Sequence, residues 1–253
     1  MNRLILVEGL PGTGKSTISQ WIFDLLHAKD IHTVLLDEFD ERIPCNFYNL
    51  AGIPRETFNT LFAAIDAPSD AILKKTENYV YLRIDKYPND VAQELRRWDI
   101  GDEFNTYFPL CEYIKCTLEW WKHWIQDNIN QPITIMDSAF LQNPINDMIF
   151  HKATDNEVKQ YVSSIAGLLA PFDPVCIYLR RNNATESIEF AKAVKGPVWS
   201  AGVDGLQDMG CGDLFERRFK LEYEMLSTME HIVCHVQGDD WSIAKTKIQN
   251  YFA

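Results

Sequence analysis

The 253 residues, 46% hydrophobic and 24% charged, suffice for one good-sized α/β domain, or one domain carrying an insertion, that buries its core without staples. A formal net charge of -12 argues against a protein built mainly to grip nucleic acid, because phosphate backbones select clustered Lys and Arg. Six cysteines (Cys45, Cys111, Cys116, Cys176, Cys211, Cys234) with no CxxC pair read as reduced thiols, not as a disulfide framework.

Leu4 to Val7 is a short apolar run bounded by turn residues, which predicts a buried strand. It is too short for a signal-peptide core or a membrane span, so a cytoplasmic protein is expected. Directly after it, Gly9, Gly14, Lys15 and Ser16 satisfy the pattern G-x-x-x-x-G-K-[ST], with a strand before and a helix after. In the loop Gly9, Leu10, Pro11, Gly12, Thr13 and Gly14, glycines let the backbone curl so that successive N–H groups face a phosphate with no Cβ in the way. The helix start adds its unpaired amides and positive dipole end. Lys15 then reaches the β- and γ-phosphates, Ser16 ligates Mg²⁺, and the Thr17 hydroxyl lies where it can touch the α-phosphate. The competing account is a glycine-rich turn that merely connects strand to helix; pattern and context together favour binding of ATP, with GTP as the alternative, and Mg²⁺.

Ile18, Trp21, Ile22, Leu25 and Leu26 recur at helical spacing and predict an amphipathic helix from about Lys15 to Ala28. Thr33 to Leu36 reads as a second strand, completing a βαβ unit with parallel strands. From Ile43 to Gln131 the chain is rich in aromatics, broken by Pro54, Pro68, Pro88 and Pro109, and shows no clear alternation, so a helical insertion over 43–131 is expected. Candidate acceptor contacts there and at its edge are Arg42, Tyr79, Tyr81, Arg83, Asp99, Asp102 and Glu103. Glu41 to Gln131 carries fourteen acids against ten basic residues, so a polar or cationic acceptor suits it at least as well as a phosphorylated one. Trp120, Trp121 and Trp124 could stack on a base or sugar, but at helical spacing they read first as core packing.

Strands are predicted again at Ile133–Met136, Val175–Leu179 and Ile232–Val236, and a last helix over Trp241–Tyr251. Thr154 with Glu157 and Asp213 with Glu216 have capping-box spacing. His231 and His235 fall on one face of the last strand with no second ligand pair, and His123 and His151 stand alone, so no zinc site is expected. Five strands alternating with helices predict an α/β fold with a three-layer sheet.

"GLPGTGKST", followed by "TVLLDEFDER", "ITIMDSAF", "VCIYLRR" and "HIVCHVQGDDWS", resembles the P-loop kinases that phosphorylate nucleosides, nucleotides and other small molecules. The resemblance implies a parallel sheet of order 2-3-1-4-5, a helical acceptor region and a lid over 180–212. It implies a carboxylate after the second strand that accepts the acceptor's proton, Asp37 first and Glu38 second, with ordinary turn acids as the alternative. It implies that Asp137 holds Mg²⁺ through water or orients the substrate, with a plain strand-end cap as the alternative. Arg180 and Arg181, with Lys192, Lys195 and Gly202 beyond them, resemble lid residues that close on the transferring phosphate, although a solvated helix accounts for the lysines equally. Where these kinases often carry Arg beside the strand acid, this chain has Ser138, which favours a hydroxyl over a phosphate acceptor.

The expected activity is ATP- and Mg²⁺-dependent phosphoryl transfer to a small-molecule hydroxyl, nucleoside-like or antibiotic-like, with no nucleic-acid or membrane partner and self-pairing left open. A nucleotide-dependent switch acting on a protein partner is the alternative, and a nucleic-acid end kinase fits the acidic balance poorly.

Overall fold

A computed structural model describes residues 3–61, 70–102, 105, 107–206 and 210–252. Pro68, the candidate Glu103 and the lid stretch 207–209 lie outside the described residues. The chain divides into two compact units, Met1–Cys45 with Ile125–Ala253, and Asn46–Trp124.

The first unit opens with β1 (Leu4–Glu8), every residue of it buried. Next come α1 (Lys15–His27) and β2 (Thr33–Leu36). In the second unit lie β3 (Leu50–Pro54), α2 (Arg55–Leu61), β4 (Ile72–Lys75), β5 (Tyr79–Arg83), α3 (Asn89–Leu95) and most of α4 (Leu110–Asn128). The chain then returns through β6 (Ile133–Asp137), α5 (Gln142–Phe150), α6 (Asp155–Leu169), β7 (Pro174–Arg180), α7 (Ala184–Lys195), α8 (Pro197–Gly205), α9 (Leu214–Met225), β8 (Glu230–His235) and α10 (Ser242–Tyr251).

The first unit is built on a five-stranded parallel sheet ordered β2-β6-β1-β7-β8. Numbered within that sheet, the order is 2-3-1-4-5. On one face Ile18, Ile22 and Leu26 of α1 and Ala244 and Ile248 of α10 pack with Ile5, Val7, Ile135, Ile177 and Cys234. On the other, the Tyr178 hydroxyl reaches Glu222 of α9 at 2.9 Å, so helices flank both faces. Because the sheet is parallel, the carboxyl ends of β1, β2, β6 and β7 share one edge, where open α/β sheets place their ligands. Gly9, Asp37, Ser138 and Arg181 are the first residues beyond those ends.

The capping box at Thr154 is formed in both directions. The one expected at Asp213 is not: its backbone lies at φ -91° and ψ 3°, outside the extended region a capping side chain needs, and it makes no cap bond. His231 and His235 are exposed on the edge strand β8, and the described residues hold no cluster of three or more metal-ligating side chains. Among them the cysteines form no disulfide, and no helix is long and apolar enough to cross a membrane.

The second unit corrects the helical expectation. It contains a three-stranded antiparallel sheet, β3-β5-β4, beside its helices. Four of the five residues of β5 are buried, Tyr79 to Leu82, so the strand shows no alternation to read. β3 carries Gly52 and Pro54, both strand breakers by propensity. Gly52 is there for clearance, since a Cβ would lie 2.3 Å from Cys116 Sγ. Along α4, Tyr113, Thr117 and Trp121 form a buried stripe, so the tryptophan run contributes to packing as expected.

Candidate active site

Between β1 and α1 the backbone turns through positive φ at Gly9, Gly12 and Gly14 (138°, 83° and 89°). A side chain at Gly12 would put its Cβ 2.5 Å from the Ser187 carbonyl oxygen and 2.9 Å from the Ala191 nitrogen, so α7 lies hard against the outside of the loop. The loop's carbonyl oxygens all have donors. Gly9 O accepts from Arg218 Nη2 (3.2 Å), Leu10 O from Thr13 Oγ1 (2.9 Å), and Pro11 O from Ser187 Oγ (2.8 Å). Gly12 O accepts from both Nε (3.0 Å) and Nη2 (2.8 Å) of Arg181, and Thr13 O from Trp241 Nε1 (2.9 Å). In contrast, the main-chain N–H groups of Gly12, Gly14, Lys15, Ser16 and Thr17 have no acceptor among the described residues. Unpaired N–H groups at a helix start form an anion-binding surface.

Lys15 sits in the same turn and is 8% exposed. Burial pushes its ammonium below the usual lysine range, and the nearby charge of Asp137 opposes that shift. Its only hydrogen bond among the described residues is a long one, 3.4 Å to Leu10 O, which leaves the other N–H donors of a buried cation without acceptors. Ser16 Oγ donates to Asp137 Oδ2 at 2.7 Å, and Ser138 Oγ to Asp137 Oδ1 at 2.7 Å. Ser138 has φ 65°, an unusual value for a non-glycine residue. The hydroxyl–carboxylate pair of Ser16 and Asp137 offers two hard oxygens, too few for an all-protein cage but suited to Mg²⁺, which keeps waters and phosphates as its remaining ligands.

The two candidate bases differ. Asp37 is exposed, and its Oδ1 accepts from the Phe39 N–H at 2.9 Å in a side-chain turn. Glu38 is half-buried, hydrogen-bonded by Gln142 Nε2, and close enough for its charge to act on Lys15. Arg181, 2% exposed, also donates to Gly238 O (2.6 Å) and lies 3.8 Å above the Phe190 ring, so it braces the loop from outside. Arg180 stacks on Phe219 and Tyr223, 4.7 and 4.6 Å from their centroids. Lys192 pairs with Asp204 (2.8 Å), Lys195 lies over Trp199, and Gly202 is within α8. Arg42 pairs with Asp40 at 2.6 Å.

Within the second unit, the acceptor candidates serve mainly its framework. Tyr81 is buried and donates to Cys116 O (2.8 Å), Tyr79 donates to Glu112 (3.0 Å), and Arg83 pairs with Asp85 (3.1 Å). Asp99, pushed up to about 6 by burial, accepts from the Gly101 N–H (3.0 Å). Asp102 is exposed, and its carbonyl accepts from Asn105 N (3.0 Å).

Sequence reading missed a buried layer beneath the loop. Glu8 accepts from the N–H groups of Phe140 (2.6 Å) and Gln142 (3.0 Å), tying the end of β1 to the turn that follows Asp137. Arg218 and Glu222 pair at 2.6 Å, 1% and 0% exposed. A charged residue closing an apolar strand was the only local signal for Glu8.

Burial raises Glu8 from 4.5 to about 7, against the two N–H donors, which lower it. A carboxyl raised on folding contributes stability below pH 4.5, and that contribution is lost as pH rises through about 7. Wild type is therefore expected to lose on the order of 3 kcal/mol more than Glu8→Gln between pH 4.5 and 8, read by urea unfolding at each pH. Parallel pH responses in the two proteins would refute it.

In comparisons with known proteins, no family model matches the chain and no curated protein matches it.

Proposed function

We propose that this protein is a P-loop phosphotransferase that moves the γ-phosphoryl group of ATP to a hydroxyl of a small molecule. One observation carries the reading: from Gly9 to Thr13 every carbonyl is held by a donor, while the N–H groups of Gly12 and of 14–17 have no acceptor among the described residues, around a buried, under-bonded lysine. A site so arranged accepts anions with several oxygens. The parallel sheet of order 2-3-1-4-5 and the resemblance to small-molecule kinases support the same reading.

In this reading the loop amides and Lys15 bind the β- and γ-phosphates and neutralise charge that builds up during transfer. Ser16 and Asp137 are the residues that would hold Mg²⁺, which supplies charge neutralisation between the phosphates when bound. Glu38 accepts the proton of the attacking hydroxyl as its oxygen bonds to the γ-phosphorus and ADP departs. Arg181, Ser187 and Trp241 keep the carbonyls turned outward. Ser138 gives its hydroxyl to Asp137 and offers no cation for an acceptor phosphate, which favours alcohols, nucleoside-like or antibiotic-like.

Purified protein with MgATP is expected to phosphorylate at least one member of a panel of nucleosides, aminocyclitol-type antibiotics and nucleoside monophosphates, read by mass spectrometry. Tight ATP binding with no product from any acceptor would defeat the kinase reading. ADP release stimulated only by a co-purifying protein would replace it with the nucleotide-dependent switch.

A further inference from the structure

Gln142 opens α5, with its N–H held by Glu8 and its side chain almost wholly buried, 5% exposed for the residue. Its amide lies between two groups of opposite character. Oε1 accepts from Arg218 Nη2 at 3.2 Å, and Nε2 donates to Glu38 Oε1. A guanidinium can only donate, so the amide oxygen must face Arg218 and the amide N–H must face Glu38. Arg218 is itself fixed, by Glu222 (2.6 Å), Asn146 Oδ1 (3.1 Å) and Gly9 O of the phosphate loop (3.2 Å). One buried guanidinium thus orients the phosphate loop directly and Glu38 through a single amide.

We infer that Gln142 is a positioning residue, which anchors one carboxylate oxygen of Glu38 and leaves the other to take the proton of the incoming hydroxyl. This rests on the kinase reading for its catalytic consequence. The tether itself can be observed without activity. Charge-assisted bonds are the stronger ones, so the Gln142 side-chain NH₂ is expected far downfield and slow to exchange in ¹⁵N-labelled protein. Glu38→Gln should move that signal.

Two variants separate positioning from folding. Gln142→Met removes both contacts, whereas Gln142→Glu keeps an acceptor for Arg218 and replaces the donor to Glu38 with a second carboxyl that repels its charge. Each is expected to lower kcat roughly 10²-fold, with ATP affinity unchanged, because a misplaced catalytic group costs about that much. In a Glu38→Gln background neither should lower it further, since the group they position is already gone. Additive losses in that cycle, or an amide signal indifferent to Glu38→Gln, would overturn the inference. A wild type that binds MgATP and transfers nothing overturns the kinase reading and the catalytic role together, and is distinguished from a missing tether because Glu38→Gln would then still move the amide signal.

Discussion

Lys15→Met is expected to lower phosphoryl transfer by roughly 10³-fold or more, because Lys15 is the single cationic residue between Gly9 and Thr17 and, in the proposed reaction, would neutralise the transferring phosphate. Methionine keeps the apolar stem that packs into the turn and removes the charge alone. The fold should not suffer. Burial already disfavours this ammonium, and its single hydrogen bond among the described residues is 3.4 Å long, so the apo protein gains little from it. The melting temperature of the variant is therefore expected to match or exceed that of wild type without nucleotide, and the stabilisation by MgATP expected of wild type should shrink or vanish. The pairing of these results matters. Loss of transfer with an equally lowered melting temperature would indicate collapse of the loop, and transfer within tenfold of wild type would remove Lys15 from the chemistry.

What the sequence disclosed about this site was whatever sequence neighbours determine. The strand, the glycines and the helix start between Leu4 and His27 lie within one βαβ unit, so their spacing carries their geometry. The inner strands β6 and β7 were legible as apolar runs because a parallel sheet buries both faces of such strands. Identical capping spacing gave opposite results at Thr154 and Asp213, since the motif also requires an extended backbone that only the preceding chain can set. In the second unit, β5 was hidden by burial without alternation and β3 by Gly52 and Pro54. The layer under the loop was beyond reach for another reason. Arg218 meets Gly9 across 209 positions, Trp241 meets Thr13 across 228, and Gln142 meets Glu38 across 104. Nothing local distinguishes Arg218 from its neighbour Arg217, which instead pairs with Asp155 at 2.8 Å.

The choice between Asp37 and Glu38 shows the same boundary and yields the second large effect. Both follow β2 at the ligand edge, and sequence order favours Asp37, the first residue past the strand. The packing reverses that preference: Asp37 is exposed with one oxygen committed to the Phe39 N–H, whereas Glu38 is half-buried, anchored by Gln142 and electrostatically coupled to Lys15. Glu38→Gln is accordingly expected to lower kcat by about 10²- to 10⁴-fold, the usual contribution of a general base. ATP affinity should stay near that of wild type, because in the proposed reaction the lost group would contact the acceptor and not the nucleotide. Asp37→Asn should remain within tenfold, since an asparagine oxygen can accept from the same N–H and keep the turn. Steady-state kinetics on the two variants, with the acceptor found in the panel, decide the matter. A large loss in Asp37→Asn beside a near-normal Glu38→Gln would hand the base to Asp37 and reduce the Gln142 contact to a brace between β2 and α5.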